Sequence, residues 1–135
     1  MPLKDRFDLP VTCNSAPAVD DYVAAVDLLL AAWSGAEARL DRALAADPDF
    51  ALAHIARARL LQLQARIPEA KAEAALAQSL ADRITAREHR HIEAIAQSIN
   101  GAADNALAKS VAVAVSVVSP ILTCAGVPFG ASWLV

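Results

Sequence analysis

The side chains best suited to chemistry in this chain are three histidines, two cysteines and scattered carboxylates. Glu88 and His91 form E-x-x-H, a spacing that on a helix can place a carboxylate and an imidazole on one metal ion, as in di-iron bundles. Such bundles need a second copy and further carboxylates at matching positions, and none occurs. His89 and His91 are two apart and point to different helix faces, unlike a shared ligand pair. No metal site is therefore expected. His54, beside Phe50 and Ile55, is expected at a helix interface, donating a hydrogen bond rather than acting as a base. Cys13 precedes the first helix, where a thiolate is favoured, yet no partner base stands near it. Cys13 and Cys124 form neither C-x-x-C nor a disulfide framework, and two reduced thiols are expected. G-x-S-x-G, a P-loop and G-x-G-x-x-G are all missing, so neither catalysis nor a cofactor is expected.

Such residues must be carried by helices. Of the 135 residues, 56% are apolar, many of them Ala, with four Gly and six aromatic residues, which favours an all-α chain with closely packed helices. A net charge of −3 gives no electrostatic basis for binding nucleic acid. Arg57, Arg59 and Arg66 alternate with apolar residues and are expected on solvated helix flanks. Residues 1–16, an N-terminal extension, carry Lys4, Asp5, Arg6 and Asp8 with no apolar signal region, and a cytoplasmic location is expected.

From Ala18 to Ala32, Val19, Val23, Val26 and Leu30 recur at helical spacing, with Pro17 in the first turn. Ser34 and Glu37 have capping-box spacing and predict a second helix to about Ala46. Asp47-Pro48-Asp49 breaks the chain, with Asp49 able to cap a third helix from Phe50 to about Ala65. Pro68 opens a fourth helix, to about Ala81. Thr85 and Glu88 repeat the capping-box spacing at a fifth, which ends at Asn100-Gly101, and a sixth is expected from Asp104.

Ala24, Ala36 and Ala43 recur 34 residues later as Ala58, Ala70 and Ala77, and the first two return, with two residues inserted, as Ala94 and Ala106. A 34-residue unit of two helices is the tetratricopeptide arrangement, in which small residues let backbones approach where helices cross. The expected fold is a short right-handed α-solenoid with repeats over 17–48, 49–84 and an incomplete 85–118, the whole region spanning 17–105.

The runs D-R-F-D-L-P-V-T-C-N-S (Asp5–Ser15), R-A-L-A-A-D-P-D-F-A-L-A-H (Arg42–His54) and R-E-H-R-H-I-E-A (Arg87–Ala94) resemble the N-terminal portion of the tetratricopeptide repeat protein 38 family. The resemblance covers about Asp5–Ala108 and implies an α-solenoid with a binding or scaffolding role. Members of that family are usually much longer, so the chain looks like a truncated member.

Residues 106–135 depart from the pattern, and 110–135 carry no charge. Three readings stand: a membrane anchor, interrupted by Pro120, Gly126, Pro128 and Gly130; a hydrophobic cap on the solenoid end; or translation in a shifted frame, which the abrupt change of composition favours. The expected function is a protein-interaction scaffold. A membrane-tethered helical protein and a nonfunctional fragment are the alternatives. In this register the partner-facing positions are Asp21, Ala25 and Leu28 in the first repeat and Leu52, Ile55, Arg59 and Gln62 in the second. Chaperone-binding arrays clamp a C-terminal carboxylate with Lys and Asn where Asp21 and Ala25 stand, so no such clamp is expected. A protein or peptide bound by apolar contacts is the expected partner.

Overall fold

Ser15 begins the helical part of the chain. Its hydroxyl accepts the Ala18 amide at 3.4 Å, satisfying one of the free donors at a helix start, and Pro17 sits in the first turn. The computed structural model describes residues 2–101, which lie in one unit, Met1–Ala103. It is predominantly α-helical: α1 (Ala16–Leu30), α2 (Ala36–Ala46), α3 (Ala51–Leu63), α4 (Ile67–Ser79) and α5 (Ala86–Ile99), with a 3-10 turn at Ala81–Arg83. The expected sixth helix, the rest of the third repeat and the apolar stretch 106–135 lie outside the described residues.

Consecutive helices pack as hairpins, α1 on α2 and α3 on α4, and α2 and α4 pass the stack on to α3 and α5. The first helix of each hairpin ends in the same way. After α1, Ala32 adopts φ 54°, the Trp33 amide donates to Leu28 O at 2.8 Å and the Ala32 amide to Leu29 O at 3.2 Å. After α3, Ala65 adopts φ 60°, with Arg66 N to Leu61 O at 2.9 Å and Ala65 N to Gln62 O at 3.0 Å. After α5 the left-handed residue is Gly101, φ 85°. This is a Schellman-type stop, which satisfies terminal carbonyls through a left-handed residue.

The core is built from small residues, as the composition requires. Ala36, Ala43, Ala58, Ala70 and Ala77 are all buried, around the larger Phe50, Leu40, Ile55 and Ile92. Tyr22 meets Phe50 edge-on with ring centroids 5.1 Å apart. The expected register fails in α1 and α5. Ala24 is half-buried and Ala94 exposed, whereas Ala25 and Ala96 are fully enclosed. Ala25 precedes Ala58 by the same distance as Ala32 precedes Ala65. From that left-handed residue to the first buried alanine of the next helix the first hairpin is one residue shorter, Ala32 to Ala36 against Ala65 to Ala70, so a register taken from the alanines of α2 is displaced by one along α1.

Two expected caps are also corrected. Gly35, φ 100°, occupies the start of α2 with no side-chain hydrogen bond, so Ser34 and Glu37 form no capping box; Glu37 instead lies 3.2 Å from Arg66 Nη1. Phe50 starts α3 because its ring is drawn into the core, and Asp49 is left outside. Asp47 shapes that turn: its Oδ1 accepts the Asp49 amide at 3.2 Å.

Candidate functional site

The N-terminal extension is a structured part of the site. Leu3–Lys4 (β1) pairs antiparallel with Pro10–Val11 (β2). The connecting turn is built on Asp5, whose Oδ1 accepts the Phe7 and Leu9 amides at 2.9 and 3.0 Å. This hairpin is fixed to both ends of the helix stack. Arg6 pairs with Asp27 on α1. At the other end Arg87 of α5 lies 3.2 Å from Asp5 Oδ2 and donates to Pro10 O at 2.9 Å. Beside it, Glu88 accepts the Thr12 amide and hydroxyl, both at 2.8 Å, and the Thr85 amide and hydroxyl, also at 2.8 Å. The expected Thr85–Glu88 capping box is present, and the same carboxylate holds a segment far away in sequence.

Glu88 is only 1% exposed. Burial works to raise its pKa, but the four hydrogen bonds outweigh it and hold the carboxyl below its ordinary value. Asp5 follows the same balance, with burial opposed by the Leu9 and Phe7 amides and by Arg87. A third anchor is Asp47, buried, whose Oδ2 accepts the Asn14 amide at 2.7 Å and the Cys13 thiol at 3.2 Å. Burial, then the hydrogen bond to Asp47, push the Cys13 thiol up to about 11. The helix N-terminus does not activate it.

Between hairpin and helices lies a groove of about 390 Å³. Three helices each contribute a wall: Tyr22, Val26, Leu29 and Leu30 from α1; Leu52, Ala56 and Arg59 from α3; Arg87, Glu88, His91 and Ile95 from α5. Asp5 and Phe7 of the N-terminal hairpin line the same groove. Leu30 is 72% exposed and Phe7 71%, so large apolar side chains stand open to solvent at its margin. His91 lies in the wall, where partial desolvation and the neighbouring Arg87 charge hold its imidazole below its ordinary value.

Of the positions expected to face a partner, Leu52 and Arg59 line the groove and the others do not. Asp21 is buried toward α2, where Arg39 Nη1 lies 2.8 Å from its Oδ1 and Arg42 makes a second pair. Burial raises its pKa, and the two guanidinium groups more than reverse this. Ala25 and Ile55 are fully enclosed by helix packing. Leu28 is half-buried, close to where a side chain on Gly35 would stand, and Gln62 donates to Ser98 O of α5 at 3.3 Å. On α1 the groove face is Tyr22, Val26 and Leu29, each one position beyond the residue expected. The displaced register of α1 is the cause.

The hydrogen-bonding partners of His54 and Glu88 bear on the chemistry first considered for them. His54 Nε2 donates to Pro48 O at 2.9 Å and Nδ1 lies 2.8 Å from Glu73 Oε2, so both ring nitrogens are engaged between α3, α4 and the preceding turn. Both Glu88 oxygens are likewise occupied. Among the described residues no group of three or more His, Cys, Asp or Glu could hold a metal ion, and no described helix is long and apolar enough to cross a membrane. What sequence reasoning missed is the hairpin and its link to Arg87 and Glu88. Only the alternating L-K…P-V and the turn residues Asp5 and Asp8 hint at the hairpin, and nothing local marks its distant partners. No family model, curated protein or solved structure matches this chain.

Proposed function

We propose that the chain is a tetratricopeptide-type scaffold, related to the tetratricopeptide repeat protein 38 family, that holds a peptide segment of a partner protein in its groove and performs no catalysis. The observation that carries this reading is the groove itself, to which α1, α3 and α5 each contribute one wall. Helical hairpins stacked in sequence, a repeated left-handed stop after the first helix of each, and buried alanines at helix crossings support a short right-handed solenoid. A peptide in such a groove buries apolar side chains against Val26, Leu29, Leu52 and Ile95, the means by which grooves usually capture helical or extended segments.

The test is selection of random-sequence peptides on the immobilised full chain, followed by binding to a Leu30→Glu/Arg59→Glu variant. Both positions retain solvent contact, so an unchanged circular dichroism spectrum is expected. Selected peptides should bind the variant at least about tenfold more weakly, as when a hot-spot contact is lost. Equal binding to both proteins would remove the groove as the binding surface.

A further inference from the structure

The N-terminal hairpin contributes to the lining of the groove, and its contribution has a definite chemistry. The segment Asp5-Arg6-Phe7 places a carboxylate on Arg87 of α5 and an exposed aromatic side chain at the groove margin. A second guanidinium lines the groove without such a partner. It belongs to Arg59 of α3, half-buried, with Val26, Leu29 and Ile95 among its neighbours in the lining. Its guanidinium donates to Gln62 on its own helix, and among the described residues it forms no ion pair. The carboxylates that line the groove are not available to it: Asp5 is taken by Arg87, and Glu88 by the four donors of Thr12 and Thr85. The open part of the groove thus presents an apolar surface with one guanidinium, that of Arg59, that no carboxylate of the described residues pairs.

Resting on the peptide-binding reading above, we infer that the groove selects an acidic-apolar segment of a partner protein, whose carboxylate pairs with Arg59 as Asp5 pairs with Arg87. A guanidinium suits this task because its planar donors can take both oxygens of a carboxylate. Aliphatic or aromatic residues next to that acid cover Val26, Leu29, Leu52 and Ile95. A basic residue in the same place meets Arg59 and is rejected by like charge.

The experiment uses three pools of synthetic peptides with the same randomised apolar positions and one charged site, occupied by Asp or Glu, by Asn or Gln, or by Lys or Arg. Affinities are measured on the full chain. The acidic pool should bind about tenfold more tightly than the neutral pool, the ratio expected for a partly desolvated charge-assisted pair. Arg59→Gln should erase that ratio while leaving neutral-pool binding in place, and Arg59→Lys should retain part of it. Equal binding of acidic and neutral pools, or a preference that survives Arg59→Gln, overturns the inference and leaves peptide binding standing. Failure of all three pools to bind overturns both.

Discussion

Replacing Glu88 with Ala should be among the most damaging single changes outside the apolar core. The side chain is 1% exposed and serves four donors, two from Thr85 at the start of α5 and two from Thr12 behind the N-terminal hairpin. Thr85 still caps the helix, but losing the Glu88 acceptor for the Thr85 amide costs about 1 kcal/mol. Leaving the Thr12 amide without its acceptor in a part-buried position adds about 1–3 kcal/mol. The sum, about 2–4 kcal/mol, is a large share of the roughly 5–15 kcal/mol that holds a domain together. Urea denaturation of the full chain and of Glu88→Ala measures it, and amide hydrogen exchange at Thr12 shows whether the hairpin has come loose. Acid adds an independent check. The folded pKa of Glu88 lies below its unfolded value of 4.5, so its contribution is complete above 4.5 and disappears as pH falls through the folded value. The acid limb of stability against pH should accordingly be shallower in Glu88→Ala than in the parent. A change below about 0.5 kcal/mol, the range of ordinary surface substitutions, together with unaltered protection of the Thr12 amide, would refute this account of the tether.

Other outcomes follow from the same geometry. Ala32→Gly and Ala65→Gly, at φ 54° and 60°, should each raise the urea midpoint by an equivalent of about 0.5–1 kcal/mol, because glycine adopts the left-handed turn without a Cβ penalty. Asp21→Asn should lower stability by about 1–2 kcal/mol, discounted because Arg39 and Arg42 are 43% and 61% exposed, and salt should reduce the difference. In a Cys124→Ser background the Cys13 thiol, pushed up to about 11 from an ordinary 9.0, should react with iodoacetamide at pH 8 about a hundredfold more slowly in the folded chain than in denaturant. A folded-state rate close to the denatured one would contradict the burial of that thiol and its hydrogen bond to Asp47.

Local chemistry determined most of the helices. Pro17 and Pro68 at first turns, the Thr85–Glu88 capping box and the break at Asp47-Pro48-Asp49 are effects of neighbours on neighbours, and the helices start and stop beside them. The recurrence of alanine likewise anticipated which residues of α2, α3 and α4 would be buried, since close helix packing demands small side chains at crossings. Tertiary structure alone decided the rest. A one-residue difference in the spacing between α1 and the buried alanines of α2 corresponds to about 100° of helix rotation, enough to exchange Asp21, Ala25 and Leu28 for Tyr22, Val26 and Leu29 on the groove. Asp21, expected to face a partner, is instead turned to α2, where Arg39 and Arg42 meet it. The pairing of Asp5 with Arg87 and of Thr12 with Glu88 joins residues more than seventy positions apart, as the pair separations of 82 and 76 show, and no local spacing encodes such a contact. Helices are specified by sequence neighbours, whereas the groove exists only where non-neighbours meet.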